Sequence, residues 1–146
     1  MQQIPWFSRK FDFSNKQNIF PAILERLTDT PLRLQHKLAG LSSMILTTKV
    51  GGQWSIQENL GHLIDLEPLW QGRLNDILPQ HEYLRTADLS NTQTDQAAHN
   101  EQDITTLLQR FVELRRETMQ SLRGLQEEEI FLSTLHPRLP QPMRIK

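Results

Sequence analysis

Apolar residues recur along this chain at helical intervals in three separate stretches. In the first, Phe20, Leu24, Leu27, Leu34, Leu38, Leu41 and Ile45 step by three or four places, except across Pro31, which takes the inward position in the gap. Either Pro31 kinks one long helix, or Thr30 caps a second helix with Pro31 at its first position. The spacing predicts a broken or kinked helix over about residues 18–39, with Gly40 closing it.

The second stretch follows Gly51-Gly52 and has the clearest start. Ser55 and Glu58 form an S-x-x-E capping box, in which each side chain can satisfy an orphan amide of the helix N-terminus. Its inward row is Ile56, Leu60, Leu63, Trp70, Leu74 and Ile77, with Glu67 as the one charged member. Pro68 should bend this helix and Pro79 should end it. The third runs from an Asn100 cap, with Asp103 three places on, to Gly124. Its row is Ile104, Leu107 or Leu108, Phe111, Leu114, Met119 and Leu122. No stretch alternates long enough to predict a strand.

The polar connector from Pro79 to His99 is long for a bundle turn. Fully extended it could reach roughly 70 Å, against about 36 Å for the helix before it. The second and third helices are therefore either parallel, joined by a crossover along the bundle, or antiparallel with a local excursion between them. After Gly124, residues 126–131 make at most a short helical turn, and Pro137, Pro140 and Pro142 forbid regular helix. Three amphipathic helices leave an apolar side to be covered, by a fourth helix or by a second copy in a homodimer.

Length and charge narrow the function classes. The chain has 146 residues, enough for one domain, 1–146, with a real core. Sixteen Lys and Arg against seventeen Asp and Glu leave a net charge of −1, which gives no general attraction to nucleic acid. No apolar run is long enough to span a membrane, and the N-terminus lacks a secretory pattern, so the expectation is cytoplasmic. Cysteine is absent, which removes disulfides, thiolate nucleophiles and sulfur-ligated zinc.

One titratable group stands out. His62 sits beside the inward row of the second helix, with Glu58 one turn before it and Asp65 one turn after. Neutral imidazole ligates zinc, nickel or iron, and neighbouring carboxylates orient it; the plain alternative is a partly buried, hydrogen-bonded histidine. His36 reads as solvent-facing, His81 and His99 as ordinary members of the connector, and His136 as a structural hydrogen-bonding group. Ser55 reads as a cap. Glu127, Glu128 and Glu129 read as a solvated helix start, Arg115 and Arg116 as exposed mixed charge, and Trp6, Trp54 and Trp70 as core or staple residues. H-E-x-x-H, P-loop, G-x-G-x-x-G and G-x-S-x-G patterns are all absent.

At this helix the run from Gly52 to Asp65, GQWSIQENLGHLID, resembles the DinB-like (DinB/YfiT) superfamily. There a W-S-x-x-E-x-x-x-H pattern opens the second helix of a four-helix bundle. The similarity continues through Asp65–Trp70 and Gly72-Arg73-Leu74. It also takes in Phe20-Pro21, Glu25-Arg26-Leu27, Thr30-Pro31 and Leu135–Leu139. The resemblance implies an all-α, up-down-down-up four-helix bundle with a long crossover between helices two and three, commonly dimeric. It also implies a divalent Ni, Zn or Fe held by three histidines, one on helix two and an H-x-x-x-H pair on helix four. His62 matches the first of these. Implied activities are hydrolysis or thiol-dependent S-transfer on a small molecule, with a thiol as co-substrate. The chain departs from the pattern in having no H-x-x-x-H. The expectation is a C-terminally incomplete or degenerate member without its fourth helix, which holds metal only when that helix is present. The non-enzymatic alternative is a stress-associated bundle that binds a partner, with His62 vestigial.

Overall fold

The Glu58 amide donates to Ser55 Oγ at 3.0 Å, and the Ser55 amide donates back to the Glu58 carboxylate at 2.9 Å. This reciprocal cap starts the longest helix of the structure, a computed structural model that describes residues 18–140 and 142–145. In chain order the elements are α1 (Phe20–Leu38), α2 (Ser43–Thr47), α3 (Ile56–Ile77), α4 (Thr92–Gln96), α5 (Ile104–Arg123), β1 (Ser133–Leu135) and β2 (Pro142–Arg144). Short 3-10 turns lie at His99–Glu101 and Glu129–Phe131.

Pro31 does not break α1, which runs through it in one piece. The proline removes the amide that would bond the Leu27 carbonyl, and that carbonyl accepts Arg115 Nη1 at 3.5 Å instead. Thr30 is therefore not a cap; its hydroxyl donates back to the Arg26 carbonyl. The C-cap is Ala39, and Gly40 follows it at φ +79°. At α5 the cap is Asp103 and not Asn100, because Asp103 accepts the amides of both Thr105 and Thr106. Asn100 accepts Ser55 Oγ at 2.7 Å, tying the approach to α5 to the start of α3.

Contacts between α3 and α5 advance in the same direction. Ser55 meets Asn100, Glu67 meets Arg115 and Thr118, and Gln71 meets Thr118, so the two helices are parallel. Along α1 the sense reverses. Leu34 and Leu38 pack on the core of Leu60, Ile64, Leu107 and Phe111, while Thr28 accepts Arg123 at 3.2 Å, so α1 is antiparallel to α5. The connector returns along α3, joining it at Asp76 through Arg85 and at Asp65 through Thr94, and meeting Trp54 just before its N-cap through Asp95. The crossover topology is therefore the one realised.

Three readings of the inward faces are corrected. Ile64, not Leu63, is the fully buried residue of α3, and Ile56 and Trp70 are about 40% exposed. Arg115 is not surface charge: it pairs with Glu67, whose carboxylate is buried and needs a counter-ion. Trp54 lies at the site described below and Trp70 at a groove, so neither fills the core; Trp6 falls outside the described residues. The antiparallel pair β1–β2, held to the connector by the Leu84 amide on the Leu135 carbonyl, is too short for alternation to announce.

Candidate functional site

His62 projects from the first half of α3 and is half-buried between Trp54 and the connector. Its ring centroid lies 4.7 Å from that of Trp54, whose indole Nε1 donates to Asp95 at 2.9 Å. The capping box thus has a second consequence: by fixing where α3 starts, it sets Trp54 against His62. On the other side, His62 Nδ1 is 3.0 Å from Thr94 Oγ1, and Thr94 donates its hydroxyl proton to Asp65 Oδ2 at 2.9 Å.

That chain of bonds assigns the tautomer. A carboxylate only accepts, so the Thr94 proton points to Asp65, and toward His62 the hydroxyl oxygen can only accept. His62 therefore carries its proton on Nδ1 and leaves the Nε2 lone pair free to ligate. Burial lowers the pKa of His62 and its neighbour His99 lowers it further, against an opposing pull from Asp65, so the ring is neutral near pH 7. Asp65 has the orienting place that the sequence spacing suggested. Glu58 does not: it closes the cap and pairs with Lys49 at 2.7 Å. Burial works to raise its pKa, but Lys49 and Ser55 outweigh that and hold it below the usual value.

His99 is the residue that sequence reasoning missed. It is buried on Asp65 Oδ2, with Nε2 at 2.9 Å, and its carbonyl accepts from Gln57 Nε2 at 2.7 Å. Ala98, in the left-handed region at φ +49°, turns the chain so that the ring enters the bundle. His99 Nδ1 is buried with no hydrogen-bond partner. The signal in the sequence was Gly61: a Cβ there would sit 2.2 Å from the His99 ring, so only glycine lets the imidazole lie on the helix. The other histidines behave as read. His36 and His81 are exposed, and His136 Nδ1 accepts the amides of Arg138 and Leu139.

His62 Nε2 fits a transition-metal ligand in tautomer and charge. Among the described residues no group of three His, Asp or Glu converges on a common point, so this part of the chain offers one ligand and not a set. No helix among those residues is long and apolar enough to cross a membrane.

A mostly helical bundle with a parallel central pair and one oriented histidine defines the class. The chain belongs to the DinB superfamily, whose family model matches residues 13–145. Among solved structures it is similar to YfiT from Bacillus subtilis, described as a probable metal-dependent hydrolase with an unusual four-helix bundle topology. The TM-score is 0.80 at 18% identity, covering 94% of this chain and 79% of YfiT, a likeness of fold. No curated protein sequence matches it.

Proposed function

We propose that this protein works as a metal-dependent enzyme of the DinB superfamily, a hydrolase or thiol-dependent S-transferase acting on a small molecule, with His62 Nε2 as one metal ligand. The observation that carries this reading is the Asp65–Thr94–His62 chain of hydrogen bonds, which holds the ring neutral and in the ligating tautomer. A bound divalent cation such as Ni, Zn or Fe would supply a Lewis acid that activates water or a thiol. The chain's own residues do the positioning. Thr94 and Asp65 fix the imidazole plane, His99 and Gln93 hold Asp65, and Trp54 shields one side of the ring from water. In the family pattern the remaining ligands would be an H-x-x-x-H pair, which this sequence does not contain.

Zinc titration of isotope-labelled protein tests the assignment without an activity assay. His62 should shift first among the five histidines, through Nε2, and His62→Ala should abolish that response. Binding by these 146 residues should be weak, and chelator should not unfold them. A form carrying an additional H-x-x-x-H helix should retain near-stoichiometric metal after dialysis and lose it on His62→Ala. Tight binding that survives His62→Ala, or a metal-free extended form after reconstitution, would refute the reading.

The alternative, a non-catalytic bundle that associates through an apolar face, draws on one observation: α5 packs on both α1 and α3, which scarcely meet each other. The metal content of the extended form separates the two.

A further inference from the structure

Arg73 on α3 is only 6% exposed, yet none of the described carboxylates is within ion-pair distance of it. Asp76, three places on, is committed elsewhere. Its Oδ2 accepts the Arg85 amide at 2.8 Å and Nε at 2.9 Å, and its Oδ1 accepts Nη2 at 2.8 Å. Among the described residues Arg73 has only marginal partners: Met143 Sδ at 3.9 Å, the Arg85 carbonyl at 3.5 Å and the Trp70 ring at 5.2 Å. Its Nε is buried with no partner at all. A buried guanidinium in this state is costly unless something compensates it.

The neighbour that should help makes matters worse. His136 Nδ1 accepts two backbone amides, from Arg138 and Leu139, each at 3.2 Å. The ring proton of neutral His136 is therefore on Nε2, which faces Arg73 Nη2 at 3.5 Å. Donor confronts donor, and both need one acceptor between them. The Thr134 hydroxyl is also buried and unpartnered. It lies directly opposite Met143 in the β1–β2 ladder, so it shares the face from which Met143 reaches Arg73. Burial and then Arg138 lower the Arg73 pKa against an opposing pull from Asp76, and burial, Arg73 and Arg138 in that order lower that of His136.

We infer that Arg73 and His136 Nε2–H form an oxyanion site that takes the carboxylate or phosphate group of a small molecule. Arg73, Trp70, Leu74, Ile77 and Met143 line a groove of about 260 Å³, where an apolar remainder of the ligand would lie. A bridging water could satisfy the two donors but would leave the charge uncompensated.

Thermal unfolding of the 146-residue protein in dilute chloride buffer, with inorganic phosphate or hexanoate added at matched ionic strength, is the test. At least one anion should raise the midpoint by several degrees and shift the His136 Nε2 resonance. Hexanoate as the stronger anion would assign the site to a carboxylate on an apolar chain; phosphate as the stronger would assign it to a phosphate group. Arg73→Met should unfold at a higher temperature than wild type in chloride, because the uncompensated charge is gone, and should lose the anion response. His136→Asn keeps an oxygen for the two amides but lacks the Nε2–H. It should weaken anion binding at least tenfold with the chloride midpoint unchanged, and it decides the matter if Arg73→Met does not fold. No response beyond the chloride control, which includes the bridging-water case, or a full response in either variant would overturn the site.

Discussion

Gly61 has no side chain, yet it determines whether Asp65 keeps its buried partner. Alanine is the better helix former by about 1 kcal/mol, so at an open position this substitution would stabilise α3. Here the added Cβ meets the His99 ring at 2.2 Å, and the ring is hemmed in by the Gln57 bond to its carbonyl. Gly61→Ala should therefore destabilise the protein by about 1–3 kcal/mol, read from the denaturant midpoint. It should also disturb the His62 resonances through Asp65 and Thr94. A neutral or stabilising result would mean that His99 is free to move aside. A glycine within a helical row is a legible sign that something approaches closely. What approaches is not legible, because His99 is brought in by a turn at Ala98 for which the sequence gives no warning.

At the scale of elements, periodicity and capping located all three long helices. The Ser55–Glu58 box was readable because both partners lie within four residues. The errors have a common cause in tertiary demand. Asn100 and Asp103 are equally good caps in isolation, and Asn100 was diverted because Ser55 Oγ needed an acceptor. Arg115 looked solvated until Glu67 required it. His62 and Asp65 were legible as a pair one turn apart, whereas Thr94, which links them, comes from 29 residues beyond Asp65. The connector itself is held to α3 largely by Arg85, which lies across Gly72, where a Cβ would meet Nη1 at 2.0 Å. The Arg85 hydrogen bonds depress the Asp76 pKa from 3.8 to about 2. A depressed carboxylate stabilises the fold above its unfolded pKa and loses that contribution as pH falls through the folded one. With Arg85 47% exposed and screened by solvent, the expected loss between about pH 4 and pH 2 is about 1–2 kcal/mol. Urea titrations across that range should show it, and Asp76→Asn should flatten the profile there. An unchanged slope in the variant would refute the assignment.

At the scale of the whole molecule, α3 carries both candidate sites. His62 and Arg73 are separated by about three turns, roughly 16 Å along the axis. The crossover that brings Thr94 and His99 to one end and Arg85 to the other also determines how the chain can assemble. In an up-and-down pair, contacts nearest the turn join residues close in sequence, and the helices can zip from there. Between α3 and α5 no such starting point exists: Gln71 to Leu114 spans 43 residues, Ser55 to Asn100 spans 45 and Glu67 to Arg115 spans 48. The first contact must bear the entropy of a large loop, and each later one offers no cheaper route. Stopped-flow refolding should accordingly fall in the millisecond-to-second range typical of sheet-rich domains, and not the microsecond-to-millisecond range usual for helical bundles. A microsecond phase with full amplitude would refute this. The chain is helical in composition, yet its central helix pair closes only across 43 to 48 residues, so that pair remains exposed to solvent longer than in a simple bundle.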